Sequence, residues 1–202
     1  MLGDNMRIGI DLDEVLADFL TALLKYHNDT YGTSLVGEQF QSYQFWETWG
    51  GTRERAIQKV YDFYNTGYFR ELKPVVGSQE AVSILKQNNE LFVITSRQDD
   101  VAEATRGWIA QHFPERFSAV LFANHYSQKG DSRKKSQICD SVGIDVLIED
   151  SPEYALECFT QKRKILLLDY PWNRNSELPP GIYRVNSWEE ITKILARDIP
   201  NS

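Results

Sequence analysis

Short apolar runs with strand-like length and β-branching recur along this chain, at Arg7–Ile10, Leu91–Ile94, Ala119–Phe122, Val146–Ile148 and Lys164–Leu168. Between them the polar and apolar positions follow helical spacing, over Ser78–Gln87, Asp100–Gln111, Ser132–Val142 and Glu153–Phe159. A last helix is expected over Trp188–Ala196, and Ser78 stands where the first of these helices needs an N-cap. Strand and helix alternating at this interval predict an α/β domain built on a Rossmann-like parallel sheet covered on both faces.

One region breaks the alternation. From about Leu16 to Lys73 no run reads as a buried strand. A helix is expected from near Val15, then an irregular aromatic stretch over Phe40–Trp49, then, after Gly50-Gly51, a second helix over Thr52–Tyr64. Leu72-Lys73-Pro74 reads as the return to the main pattern. The expected organisation is therefore a core of residues 1–15 and 74–202 and a small helical cap, residues 16–73, inserted after the first strand. Pro171, Pro179 and Pro180 mark a late irregular loop.

Composition narrows the classes. At 202 residues the chain can bury one sizeable core and a small inserted module. A formal net charge of -7 argues against polymeric nucleic acid, whose phosphates need a basic face. A small phosphate ester remains compatible, because local cations can outweigh the global field. No apolar run approaches the length of a membrane span and no charged-then-apolar leader precedes the first strand, so a membrane partner is not expected and a cytoplasmic location is the default. Cys139 and Cys158 make no disulfide framework and read as buried, reduced thiols. His27, His112 and His125 lack metal-ligand spacing and read as surface or helix residues.

Chemistry gathers where the apolar runs stop. Ile10 is followed by Asp11-Leu12-Asp13, Ile94 by Thr95-Ser96-Arg97, and Ile148 by Glu149-Asp150, with Lys134-Lys135 opening the helix before that last strand. Two carboxylates at i and i+2 on the end of a buried strand repel each other and lose solvent, so they call for a cation or a shared proton. The plainer alternative is a turn in which one Asp caps the next helix and the other is solvated. In parallel α/β sheets ligands bind outside the carboxyl ends of the strands. Carboxylates, hydroxyls, a lysine and a second acidic pair in that place are the tools of phosphoryl transfer. Asp11 is the candidate nucleophile, since a carboxylate can accept a phosphoryl group and release it to water. An anion attacking an anionic phosphate needs charge compensation, so Mg2+, which prefers hard oxygen ligands, is the expected cofactor.

Taken together, Asp11-Leu12-Asp13-Glu14-Val15-Leu16-Ala17-Asp18-Phe19, Ile94-Thr95-Ser96, Lys135-Ser136-Gln137-Ile138-Cys139 and Glu149-Asp150 resemble the haloacid dehalogenase-like (HAD) phosphohydrolase superfamily. Within it the chain looks most like the 5'(3')-deoxyribonucleotidase family, from about Arg7 to Asp169. The resemblance implies an HAD-like core, a phosphomonoesterase acting through an aspartyl-phosphate, and a nucleoside monophosphate as the small phosphorylated substrate. It assigns the metal to the Asp11 carboxylate, the Asp13 backbone carbonyl and the Asp150 carboxylate, with Glu149 behind them. It makes Asp13 the general acid and base, Thr95, Ser96 and Lys135 the phosphate binders, with the adjacent Lys134 open as a competitor to Lys135, and Phe19 a residue of the cap entrance. Phe45 and Trp46 join Phe19 as the expected substrate wall, although Tyr43, Trp49, Phe63 and Tyr64 could equally form the cap's own core. Two residues depart from the family pattern. Glu14 adds a negative charge beside the metal, and Arg97 places a cation near the phosphate. A phosphatase for another small metabolite, such as a sugar phosphate, and a receiver-type phospho-Asp module stay open as alternatives, and so does a homodimer.

Overall fold

The computed structural model describes residues 5–197; residues 1–4 and 198–202, the ends of the expected core segments, lie outside the described residues. Six strands form one sheet in the order β3-β2-β1-β4-β5-β6. They are β1 (Arg7–Ile10), β2 (Glu90–Thr95), β3 (Ala119–Phe122), β4 (Val146–Glu149), β5 (Lys164–Leu168) and β6 (Ile182–Val185). Every pairing is parallel, with Ile8 of β1 opposite Leu91 on one side and Val146 on the other. The strands therefore read as continuous apolar runs, as sheets buried on both faces do. Gly9 lies mid-strand because neighbouring side chains fill its space: a Cβ there would come within 2.9 Å of Ile94 and 3.2 Å of Leu147.

The order of strands makes β1 central. The chain steps outward through β2 and β3, then returns to β4 on the other flank of β1. This reversal opens a crevice at the carboxyl ends of β1 and β4, where ligands of such sheets bind.

Nine α-helices accompany the sheet among the described residues: α1 (Phe19–Tyr31), α2 (Phe45–Trp49), α3 (Arg53–Tyr64), α4 (Gly67–Arg70), α5 (Ser78–Leu85), α6 (Ala102–His112), α7 (Lys135–Val142), α8 (Pro152–Cys158) and α9 (Trp188–Arg197). Several starts differ from the sequence expectation for local reasons. The helix expected from Val15 begins at Phe19, because Leu16 and Ala17 both donate to the Leu12 carbonyl and hold a tight turn. The helix expected from Ser132 begins at Lys135, because the Arg133 amide donates to Ala123 and keeps that stretch extended. Ser78 is the first helical residue of α5 rather than its cap. Gly77 takes the cap position in the left-handed region, at φ 82°.

β6 was not anticipated. It is a short edge strand in which Ile182 and Val185 are buried and Tyr183 is half exposed, so it carries no long apolar run. α4 was likewise missed, being a single turn.

Residues 19–72 leave and rejoin the rest of the chain at one place. The Asp18 amide donates to Lys73 at 2.9 Å and the Val75 amide to Leu16 at 2.8 Å, so the two crossings run side by side. The helices of this segment pack around Phe63, whose ring meets Phe19 at 5.3 Å, Tyr26 at 5.6 Å and Phe69 at 5.6 Å. Cys139 and Cys158 are buried free thiols in α7 and α8, as expected.

Candidate active site

β1 ends at Ile10, and the Asp11 amide extends the ladder by donating to Ile148 at 2.9 Å. The Asp11 side chain is therefore fixed beside the end of β4, and it is buried. Lys135, the first residue of α7, reaches into the same crevice. Its ammonium lies 2.6 Å from Asp11 Oδ1 and 2.5 Å from Glu149 Oε1, and the whole side chain is shielded from water. Lys134 is exposed at the N-cap, so Lys135 is the lysine brought to the acids. Burial alone would lower the Lys135 pKa, but Asp11 and Glu149 overcome that and hold it well above the ordinary range.

Glu149 is a bracing residue. Its Oε2 accepts from the Asp150 and Ser151 amides at 2.8 and 2.9 Å, which ties down the turn into α8. Ser151 then caps α8 through its hydroxyl, with Pro152 in the first turn. Asp150 is buried; its Oδ2 accepts from the Trp172 indole at 3.0 Å and its carbonyl from Asn173 Nδ2 at 2.8 Å. Tyr170 stacks flat on Trp172, with centroids 4.5 Å apart, and donates its hydroxyl to the Glu14 carbonyl at 2.7 Å.

Tyr170, Trp172 and Asn173 thus hold one wall of the crevice. Sequence reasoning passed over them as part of a proline-marked loop. The signal was their position: they directly follow the carboxyl end of β5, on the same edge of the sheet as every other polar tool.

Asp11, Glu149 and Asp150 each offer a carboxylate oxygen, and these lie within 4.8 Å of one another. Burial pushes the Asp11 carboxyl up to about 7 despite Lys135, and raises Asp150 well above the carboxylate range, with mutual repulsion adding to both. A divalent cation is the charge that would relieve this strain, and the donors are hard oxygens of the kind magnesium takes. The Asp13 carbonyl is also free for such a role. The turn around it uses Leu12 and Ala17 carbonyls as acceptors and leaves Asp13's aside. The residues present fit the expected metal.

Asp13's side chain points elsewhere. Arg97 forks onto it, with Nη2 at 2.6 Å from Oδ1 and Nε at 3.2 and 3.1 Å from Oδ1 and Oδ2. The cation expected near the phosphate is thus bound to a carboxylate. Glu14 also turns away from the acidic cluster. It adopts a left-handed φ of 64°, and its Oε1 accepts from the Leu20 amide at 2.5 Å, serving the bare N-terminus of α1 where Asp18 makes no side-chain cap. Burial raises its carboxyl well above the usual range, opposed by those backbone N–H groups.

Thr95 and Ser96 stand at the end of β2. Thr95 is fully buried, and its hydroxyl accepts from the Arg97 amide at 3.1 Å. Ser96 lines the cavity, and its Oγ is buried with no hydrogen-bond partner of good geometry among the described residues. The cavity runs from Asp11, Asp13 and Asp150 outward between Phe19, Phe45 and Trp46, with Tyr43 and Tyr64 also on its wall. Trp49 and Phe63 do not line it. Trp49 is stacked between His27 and Phe45 at 4.7 and 4.9 Å, and Phe63 is fully buried. The aromatic stretch therefore divides into cavity wall and packing core.

A parallel sheet in this order, with paired acids, a buried lysine and hydroxyls on its carboxyl edge, defines a haloacid dehalogenase-like phosphohydrolase. Solved structures share the fold. A haloacid dehalogenase-like hydrolase from Streptococcus pneumoniae has a TM-score of 0.68 at 12% identity, covering 95% of this chain and 98% of that one. A HAD hydrolase from Bacillus subtilis, solved bound to magnesium, has a TM-score of 0.63 at 14% identity, covering 95% and 98%. Residues 5–199 match the family described as 5' nucleotidase, deoxy (pyrimidine), cytosolic type C protein, and the chain belongs to that family. It is 29% identical over 192 residues to the 5'(3')-deoxyribonucleotidase of Bacillus subtilis, spanning 93% of this chain and 97% of that protein. The protein is a phosphatase of the nucleotidase kind.

Proposed function

We propose that the chain is a magnesium-dependent 5'-nucleotidase that hydrolyses (deoxy)ribonucleoside monophosphates through an aspartyl-phosphate on Asp11. The observation that carries this reading is Lys135, a fully buried ammonium held between Asp11 and Glu149 behind the carboxyl ends of β1 and β4. A buried triad of charges is a poor stabiliser of a fold, whereas it suits a nucleophile that must meet an anion.

In this reading an Asp11 oxygen attacks phosphorus as the ester P–O bond breaks. Asp13 gives its proton to the leaving alcohol, then takes one from the water that cleaves the acyl-phosphate, returning Asp11 and releasing inorganic phosphate. Thr95, Ser96 and Lys135 hold the phosphoryl oxygens. Asp11, Asp150 and the Asp13 carbonyl would hold magnesium, which supplies charge neutralisation when bound. The base lies against Phe19, Phe45 and Trp46. Residues 16–73 act as a cap over the core of residues 1–15 and 74–202, and the paired crossings at Asp18–Lys73 and Leu16–Val75 support that division.

Phosphate release from a panel of nucleoside monophosphates and sugar phosphates, with magnesium, tests the reading. Nucleotides should be turned over best. Rapid hydrolysis of sugar phosphates with nucleotides untouched would overturn it in favour of a metabolite phosphatase.

A further inference from the structure

The contact between Arg97 and Asp13 is the most fully built ion pair in the cavity that the mechanism above leaves unused. Arg97 immediately follows Thr95-Ser96, and its side chain is 1% exposed. Four contacts engage all three of its guanidinium nitrogens. Nε touches both Asp13 oxygens, Nη2 touches Oδ1, and Nη1 donates to the buried Thr105 hydroxyl of α6 at 3.0 Å. The guanidinium carbon lies over aromatic rings of the inserted segment, with Cζ 4.9 Å from the Phe69 centroid and 5.7 Å from that of Phe19. Such a fork fixes the carboxylate's plane as well as its position, which a lysine cannot do.

We propose that Arg97 is a positioning residue that sets Asp13 for proton transfer to the leaving oxygen. Of the contacts on Asp13, two fall on Oδ1 and one on Oδ2, so Oδ2 keeps the freer lone pair for a proton. The Thr105 hydroxyl and the Phe19 and Phe69 rings anchor the guanidinium independently of Asp13. The inference rests on the phosphatase reading and adds to it a residue that never touches the phosphoryl group. A purely structural ion pair would have the same geometry, so the test must separate the two.

The discriminating quantity is how the single-turnover rate of phenol release depends on the leaving group, because that rate reads the first step alone and leaves out the second, common to all esters, in which Asp13 acts as base. Proton donation matters for a poor leaving group and hardly at all for a good one. Phenyl phosphate and p-nitrophenyl phosphate are close in size and differ in this respect. With saturating magnesium, Arg97→Lys should lower the single-turnover release of phenol from phenyl phosphate by roughly 100-fold, the lower range of general acid–base effects, and that of p-nitrophenol from p-nitrophenyl phosphate by less than about threefold. Asp13→Asn should show the same selectivity in this first step, with dephosphorylation slowed equally for both esters. The double variant Arg97→Lys/Asp13→Asn should be hardly worse than Asp13→Asn alone, because the two residues act as one unit. Should Arg97→Lys fail to fold, Thr105→Val carries the test: it removes only the outer anchor and should give a smaller loss with the same bias toward phenyl phosphate. Equal losses on both esters, or fully additive losses in the double variant, would overturn the proposal. A wild-type enzyme that hydrolyses neither nucleotides nor aryl phosphates would overturn the nucleotidase reading itself. An active wild type with unselective Arg97 variants overturns only the role given to Arg97.

Discussion

Lys135 and Glu149 are fully buried and Asp11 nearly so at the floor of the cavity, and each charge is tolerable only because of the others. Removing the cation leaves two buried carboxylates facing each other. Lys135→Met should therefore destabilise the fold by roughly 3–5 kcal/mol, the cost of stranding a buried charge. Adding Glu149→Gln should recover part of that loss in a denaturant titration, since one stranded charge is then gone. Turnover should stay lost in both. Full recovery of activity in the double variant would contradict a role for Lys135 beyond stability. At this scale the sequence was informative where a polar residue ends an apolar run, which is how Asp11, Asp13, Thr95, Ser96 and Asp150 could be singled out as candidates. It was silent on direction. Nothing in the chain says that Asp13 turns to Arg97 or that Trp172 and Asn173 hold Asp150, because those partners are far away in sequence, nor that Glu14 turns to the Leu20 amide, which depends on a left-handed backbone at Glu14.

Among the elements, α2 divides the work of neighbouring aromatics. Trp46 faces the cavity, while Trp49 packs inward between His27 and Phe45. Trp46→Ala should raise KM for a nucleotide by an amount worth about 1–3 kcal/mol of stacking, with little effect on a small aryl phosphate. Trp49→Ala should instead lower Tm, at a cost of about 3–5 kcal/mol. The opposite pattern would reverse the assignment. The sequence showed that aromatics cluster here, but an irregular stretch has no periodicity from which to read facing.

α1 and α3 are joined by a buried histidine that was read only as a surface or helix residue. His27 Nε2 faces the Lys59 ammonium at 3.0 Å, which can only donate, so Nε2 is bare and Nδ1–H donates to Thr33 at 2.9 Å. Burial and the nearby Lys59 charge depress the His27 pKa to about 4. The folded state thus resists a proton that the unfolded chain accepts near its ordinary value of 6.5. Its contribution to stability is complete above about pH 6.5 and is lost progressively as the pH falls toward 4, by something on the order of 1–3 kcal/mol. Urea midpoints for wild type and His27→Gln should diverge above pH 6.5 and converge below 4. Parallel curves across that window would contradict the buried neutral state.

At the scale of the whole molecule, the fold class and the edge of the sheet that carries the site followed from alternating strand and helix. The edge strand β6 did not, being too short and too exposed to leave an apolar run. The strand order brings the β1 and β4 carboxylates together, and the metal expectation belongs here because no single element supplies the ligands. EDTA treatment should abolish phosphatase activity and magnesium should restore it. Undiminished turnover after exhaustive chelation would contradict the acidic cluster as a metal seat.

The central claim is that phosphate passes through Asp11. The most direct measurement is acid quenching of the enzyme during turnover of a deoxyribonucleoside monophosphate with magnesium, followed by peptide mass analysis. The account predicts a phosphoryl group on the peptide that contains Asp11, absent from Asp11→Asn, whose turnover should fall by roughly three decades or more. An Asp11→Asn variant that folds and retains near-normal turnover, with no phosphorylated peptide in the wild type, would contradict it.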